Sequence, residues 1–323
     1  MTKQRDNAID IARGVAILGM IYGHAVAGMN CYDWIYDWVY SFHMPMFALV
    51  AGYFYREKPF LQTFRSSVKT LLLPCLATSL ILLLSDEIQG GVNDCRSILC
   101  EWIYRIYQVF TLQYVPPGFW FVAALFGGRM ILALTSMLKF RYTNIILMVI
   151  SLFVVFCIPH IGMCQFTPTF SLLIFMIIGM YAHRYNVFNM PVGRKTNIAL
   201  ICILIAAGWQ KVIVLVSFYP LGVFNILTAS AICYAVVHYS QVLDHCENLV
   251  VTPLKSLLAY SGRHSMILLF IQSVFIYANR LIMCVTAQTS INNPYVMMLI
   301  FMASCLICTF IITQTKEYFF TKR

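Results

Sequence analysis

A bundle of α-helices embedded in a lipid bilayer is the fold this sequence predicts, and three observations predict it. Of the 323 residues, 61% are hydrophobic and 11% charged, whereas an average soluble domain is about one-quarter charged. Apolar runs long enough to cross a bilayer, which takes about 20 residues, recur along the whole chain. The Lys and Arg residues gather in every second connection between those runs, the bias of cytoplasmic loops. The expectation is an all-α, polytopic, multi-pass protein of the cell (inner) membrane, one domain over 1–323, with about ten spans and both termini cytoplasmic.

The runs lie at Ala8 to Met29, Val39 to Tyr55, Thr70 to Ser85, Phe119 to Leu138, Asn144 to Ile158, Phe170 to Tyr185, Asn197 to Phe218, Leu221 to Tyr239, Leu257 to Ala278 and Val296 to Thr313. With the N-terminus inside, the cytoplasmic set holds Lys3, Arg5 and Arg13; Arg56, Lys58, Arg65 and Lys69; Lys139 and Arg141; Arg184, Arg194 and Lys195; Lys255 and Arg263; and Lys316, Lys322 and Arg323. Only Arg96, Arg105, Lys211 and Arg280 fall outside, and Arg129 lies within a span. That imbalance sets the orientation. It also accounts for the net charge of +10, so membrane lipids rather than nucleic acid are the expected partners.

The first run demands the closest reading. Its charged start and Ala25-Val26-Ala27 mimic a cleavable signal, but Asp10 and Arg13 interrupt the apolar core that a signal needs. Ionisable groups at such depth are costly and mark sites. On a helix the eleven steps from Arg13 to His24 return to within roughly 20° of the same direction, and Asp10 lies about 60° from Arg13. All three share one face, with Arg13 and His24 roughly 16 Å apart along it. Gly19 and Gly23, on the opposite side, would let a neighbouring helix approach closely.

The second span opens with Ser41-Phe42-His43-Met44-Pro45-Met46-Phe47, where Pro45 suits a first helical turn. His43 is expected at the outer mouth, within approach of His24 in a tight hairpin. In the basic connection Arg56 to Lys69, Arg65 and Lys69 stand four apart on one helical face. Beside ordinary loop bias, they offer a docking patch for a phosphate-rich cytoplasmic ligand. The longest connection, Asp86 to Gly118, contains an amphipathic stretch, Glu101 to Phe110, before Pro116-Pro117-Gly118. Its aromatics fit the headgroup level, or a lid over a sugar-like acceptor. Arg129 and the Gln210-Lys211 pair are polar groups within spans without an evident partner. Span nine is introduced by Leu258 to Met266, where Ser261-Gly262 reads as a turn. The twelve cysteines mostly sit inside apolar runs as small hydrophobes; Cys31, Cys95, Cys100 and Cys164 fall in outer loops, where a disulfide could form. No metal is expected.

Three stretches together resemble the membrane acyltransferase type 3 family. They are Asp10-x-x-Arg13-Gly14 followed by His24; Phe42-His43-Met44-Pro45-x-Phe47 leading to Gly52-Tyr53-Phe54; and Phe64-Arg65 through Lys69 to Leu73-Pro74. Trp120 to Leu125 and Gly262-x-x-Ser265 match more weakly. The resemblance implies transfer of acetyl or other acyl groups from cytoplasmic acyl-coenzyme A to envelope sugars, and a ten-span bundle covering essentially the whole chain. Ala51 stands where family members often carry Ser, and Gln272 where they often carry His.

Acyl transfer from a thioester to a hydroxyl needs a base for the hydroxyl proton and donors for the developing oxyanion. His24 supplies the base, or takes the acyl group itself as a covalent carrier. Arg13, oriented by Asp10 and helped by Arg65 and Lys69, is expected to hold the phosphate end of acyl-coenzyme A, most simply acetyl-coenzyme A. His43 is the candidate on the acceptor side, a carbohydrate the acceptor, and a homo-oligomer stays open. The rival reading is a transporter or flippase of a lipid-linked sugar, in which the same charges line a path.

Overall fold

The computed structural model describes residues 6–28, 33–79, 119–138, 142–158, 166–209, 219–274 and 294–321, together with 81, 99–100, 103–104, 107 and 140. Every regular element among the described residues is helical. Helix α1 (Asn7–Gly28) starts where the Asp6 carboxylate accepts from the Ile9 N–H at 3.3 Å, satisfying a donor that a helix start leaves bare. Helix α2 (Trp34–Tyr40) is capped likewise, Asp33 accepting from the Tyr36 N–H at 2.8 Å. There follow α3 (His43–Tyr53), α4 (Phe60–Ser67) running into a π turn at Val68–Leu72, α5 (Phe119–Ser136), α6 (Thr143–Cys157) and α7 (Phe166–Arg184). The remainder are α8 (Arg194–Ala206), α9 (Val223–Asp244), α10 (Val251–Arg263), α11 (Ser265–Val274) and α12 (Pro294–Thr321).

Among the described residues, three helical stretches are long and apolar enough to cross a membrane: Asn7–Ala27, Val223–Asp244 and Met298–Thr315. They coincide with the first, eighth and tenth runs of the sequence. Trp120–Ser136, Thr143–Cys157 and Ser265–Val274 are apolar but shorter.

Two expected spans are not single helices. The second, Val39 to Tyr55, breaks between α2 and α3, and α2 occupies much of what reads as the connection Asn30 to Trp38. Pro45 explains the break: a continuous helix would leave the Ser41 carbonyl without an N–H and drive the proline ring against it. Ser41 instead closes α2, its hydroxyl donating to the Trp38 carbonyl at 2.7 Å. Pro45 itself sits in the first turn of α3, where its missing N–H costs nothing. The ninth span divides at His264, which separates α10 from α11. The turn does not fall at Ser261-Gly262, which lies inside α10, because Gly262 serves a helix contact instead.

The chain forms two compact units. The first comprises Met1–His43, Pro191–Lys211 and Ala231–Arg323, and its centre is the packing of α1 on α10. The two backbones touch: a Cβ on Gly14 would strike the Leu258 carbonyl oxygen, and a Cβ on Gly262 would strike that of Asp10. Small residues permit such contact between helices in a lipid environment. Ile9, Ile11, Ile17, Met20 and Ile21 of α1 are buried. Gly19 and Gly23 face α2, where the Val39 side chain and the Tyr40 ring fill the space a Cβ would take; their neighbour approaches by side chains, not by backbone.

The second unit comprises Met44–Met190 and Val212–Ser230. Here α3 and α7 meet through Gly52 and Gly179, each facing a backbone carbonyl of the other helix, at Met176 and Leu49. Helices α5 and α6 flank α7, and α4 lies on α5. The segment Leu172 to Ile177 of α7 is wholly buried and forms this unit's core.

Candidate functional site

Within the first unit, α1 carries three ionisable side chains on one face, and α11 supplies polar partners to two of them. Asp10 is almost fully buried and lies 3.5 Å from an Arg13 guanidinium nitrogen. The other terminal nitrogen, Nη2, donates to the buried Ser265 hydroxyl at 2.6 Å. Further along, Nδ1 of His24 is 3.3 Å from Oε1 of the fully buried Gln272. His24 keeps part of its surface open.

The spacing on both helices explains why the rungs form together. Ser265 and Gln272 are seven residues apart, two helical turns or about 10.5 Å of rise, against about 16.5 Å between Arg13 and His24. The long Arg13 side chain takes up much of the difference, and α11 starts at Ser265, the residue that Arg13 meets. That start is where the chain breaks at His264. The Gly14 and Gly262 contacts hold α10, and so the head of α11, against this part of α1.

The base of α1 is fastened independently. The Asn7 amide donates to the Asp244 carboxylate at 2.5 Å, while Lys255 Nζ donates to the Asp244 carbonyl at 2.7 Å and the Cys246 carbonyl at 3.4 Å. The lysine thereby meets bare carbonyls at the end of α9. Towards the other end, the Tyr22 hydroxyl donates to the Asp33 carboxylate that caps α2.

His43 is buried, its Nδ1–H donating to the Val39 carbonyl at 2.8 Å and its ring edge-on to Tyr40. Arg65 and Lys69 belong to the second unit. Both are exposed and line one open concavity of about 470 Å³ with Pro59, Leu61, Gln62 and Ser66. Arg129 is half-buried in α5. Gln210-Lys211 and most of Glu101 to Phe110 lie outside the described residues, although Tyr104 and Tyr107 are exposed with stacked rings. Cys31, Cys95 and Cys164 lie outside them as well, and Cys100 is a free thiol. Cys305 and Cys308, spaced as Cys-x-x-Cys on α12, are also free thiols. Among the described residues, no three His, Cys, Asp or Glu side chains gather as metal ligands.

Reading residues in sequence missed Gln272 as a neighbour of His24, together with Asn7, Asp244 and Tyr22. The seven-residue interval from Ser265 was the available signal: it places Gln272 on nearly the same face of its helix as the Gly262-x-x-Ser265 match.

Comparison with known proteins gives one result of consequence. The family model described as an acyltransferase domain matches residues 6–314. No curated protein and no solved structure matches the chain.

Proposed function

Because the chain belongs to the acyltransferase 3 family and is thereby a membrane acyltransferase, we propose that it moves an acyl group, acetyl foremost, from cytoplasmic acyl-coenzyme A to a hydroxyl of a cell-envelope sugar or polysaccharide precursor. In this reading it is a multi-pass protein of the cell membrane. The observation that carries the reading is the α1 face, where an imidazole and a guanidinium stand at different depths of one membrane-length helix.

The chemistry follows from those two groups. His24 removes the proton as the acceptor hydroxyl oxygen attacks the thioester carbonyl carbon. The C–O bond forms, the tetrahedral intermediate collapses, the C–S bond breaks, and the departing thiolate of coenzyme A takes the proton back from the imidazolium. Arg13 supplies a fixed charge and planar donors for the donor's anionic end, while Asp10 limits its orientation. Arg65 and Lys69 are proposed phosphate contacts, supported by their exposure and shared concavity. His43, bonded through Nδ1, keeps Nε2 for an acceptor hydroxyl.

Incubating membranes that contain the chain with radiolabelled acetyl-coenzyme A and envelope glycans tests the reading. Label appearing as alkali-labile ester on glycan is the expected result. Movement of glycan across the bilayer without any label incorporated would overturn it and favour the transporter.

A further inference from the structure

The mechanism above leaves a charge unattended: the oxyanion that forms when the thioester carbonyl is attacked. Water is a poor source of stabilisation there, because donors already fixed in place are what lower such barriers. Two described donors among the groups assembled on the α1 face are candidates. Arg13 stands about three turns away along α1 and is occupied with Asp10 and Ser265. Gln272 is in contact with His24 itself, is fully buried, and its amide nitrogen Nε2 has no hydrogen-bond partner among the described residues.

A buried, unpartnered amide NH₂ is costly, on the order of 1–3 kcal/mol, and native interiors leave few such groups. Its neighbour narrows what this one can do. The Gln272 carbonyl oxygen can only accept, so the 3.3 Å contact requires that His24 donate from Nδ1–H. In a neutral imidazole the other nitrogen, Nε2, then carries the lone pair. One amide group thus fixes the ring with its basic nitrogen free and presents two unused N–H donors beside it.

Resting on the acyl-transfer reading, we infer that Gln272 is both the positioning residue for His24 and the donor to the thioester carbonyl oxygen. Its oxygen holds the His24 tautomer. Its NH₂ binds the acyl carbonyl oxygen, more strongly as negative charge develops there. No atom is transferred to or from Gln272. The group recognised is a thioester carbonyl, so the inference places the acyl end of the donor beside His24.

Two variants separate the halves of this role. Gln272→Met keeps the volume and removes both amide functions. Gln272→Glu keeps an acceptor for the His24 Nδ1–H and removes the NH₂. Full-length protein in lipid nanodiscs, labelled with ¹⁵N-histidine and with the His24 signals assigned by their loss in His24→Gln, should show a protonated Nδ1 and a bare Nε2 in wild type and in Gln272→Glu. In Gln272→Met that pattern should give way to Nε2–H. Turnover of acetyl-coenzyme A with the acceptor membranes should fall about 10²- to 10³-fold in both variants, the usual cost of losing one oxyanion donor. The KM for acetyl-coenzyme A should stay within about twofold, since the interaction strengthens chiefly in the transition state.

An Nε2–H tautomer in wild type, an unchanged tautomer in Gln272→Met, or wild-type turnover in Gln272→Glu would each overturn the inference. Wild-type turnover in the same preparation tests the acyl-transfer reading separately. The tautomer spectra need no turnover, so the two failures are distinguishable.

Discussion

Gly262→Ala places one methyl group where α10 meets α1 and should disable the site without replacing any of its side chains. The added Cβ would fall deep inside the Asp10 carbonyl oxygen, far short of the contact distance of about 3.5 Å. Backbone on both sides prevents an easy side-chain adjustment, so the helices must part by about 1 Å or more. The His24 to Gln272 contact, already 3.3 Å, has no slack and is lost. The Arg13 to Ser265 bond begins at 2.6 Å and can be kept by a new Arg13 rotamer. Overpacking of this kind costs about 1–3 kcal/mol, and a displacement of about 1 Å at a reacting group costs about 10²-fold in rate. Thermal unfolding and acyl transfer per mole of folded protein read the two effects separately. Gly193→Ala is the control, because a Cβ there meets nothing within 4 Å. Wild-type melting together with wild-type transfer in Gly262→Ala would refute the argument that backbone contact registers α11 on α1.

Two further outcomes are expected. Cysteines introduced at Glu57 and Phe140, in a background cleared of reactive native thiols, should label only from the cytoplasm and one at Asn93 only from outside; cytoplasmic labelling at Asn93 would overturn the orientation drawn from loop charge. Replacing Arg65 and Lys69 together by Gln should weaken acetyl-coenzyme A binding and flatten its salt dependence while leaving acceptor affinity alone, and unchanged donor affinity in inserted protein would return both to plain topology signals.

What the sequence made legible follows from which physical costs are local. Asp10, Arg13 and His24 stand out because charge within an apolar run is expensive wherever the run packs, and helical period alone puts them on one face. The first, eighth and tenth runs were legible as long helices because length and apolarity are properties of the segment itself. Partners were not. Gly14 and Gly262 read no differently from Gly19 and Gly23 until the opposing surface is known, and only the first pair meets a backbone. The break at His264 carries no proline, and the local signal, Ser261-Gly262, pointed to a turn two residues too early. Pro45 did carry the signal for the break after α2, and the apolar run through Val39 to Tyr55 concealed it. Gln272 was noticed in sequence only as a substitution for His, since its contact with His24 spans 248 positions.

The separation of Arg13 from His24 along α1 is the central claim, and His24→Gln tests it most directly. The substitution keeps a polar side chain of moderate size and removes the imidazole. Purified protein, matched to wild type in membrane level and thermal melting, should bind acetyl-coenzyme A with wild-type affinity and transfer no acyl group. General-base loss costs about 10²- to 10⁴-fold, and loss of a covalent carrier costs more. Arg13→Ala, measured beside it, should lose donor affinity as well as turnover. Near-normal transfer by well-folded His24→Gln would contradict the account.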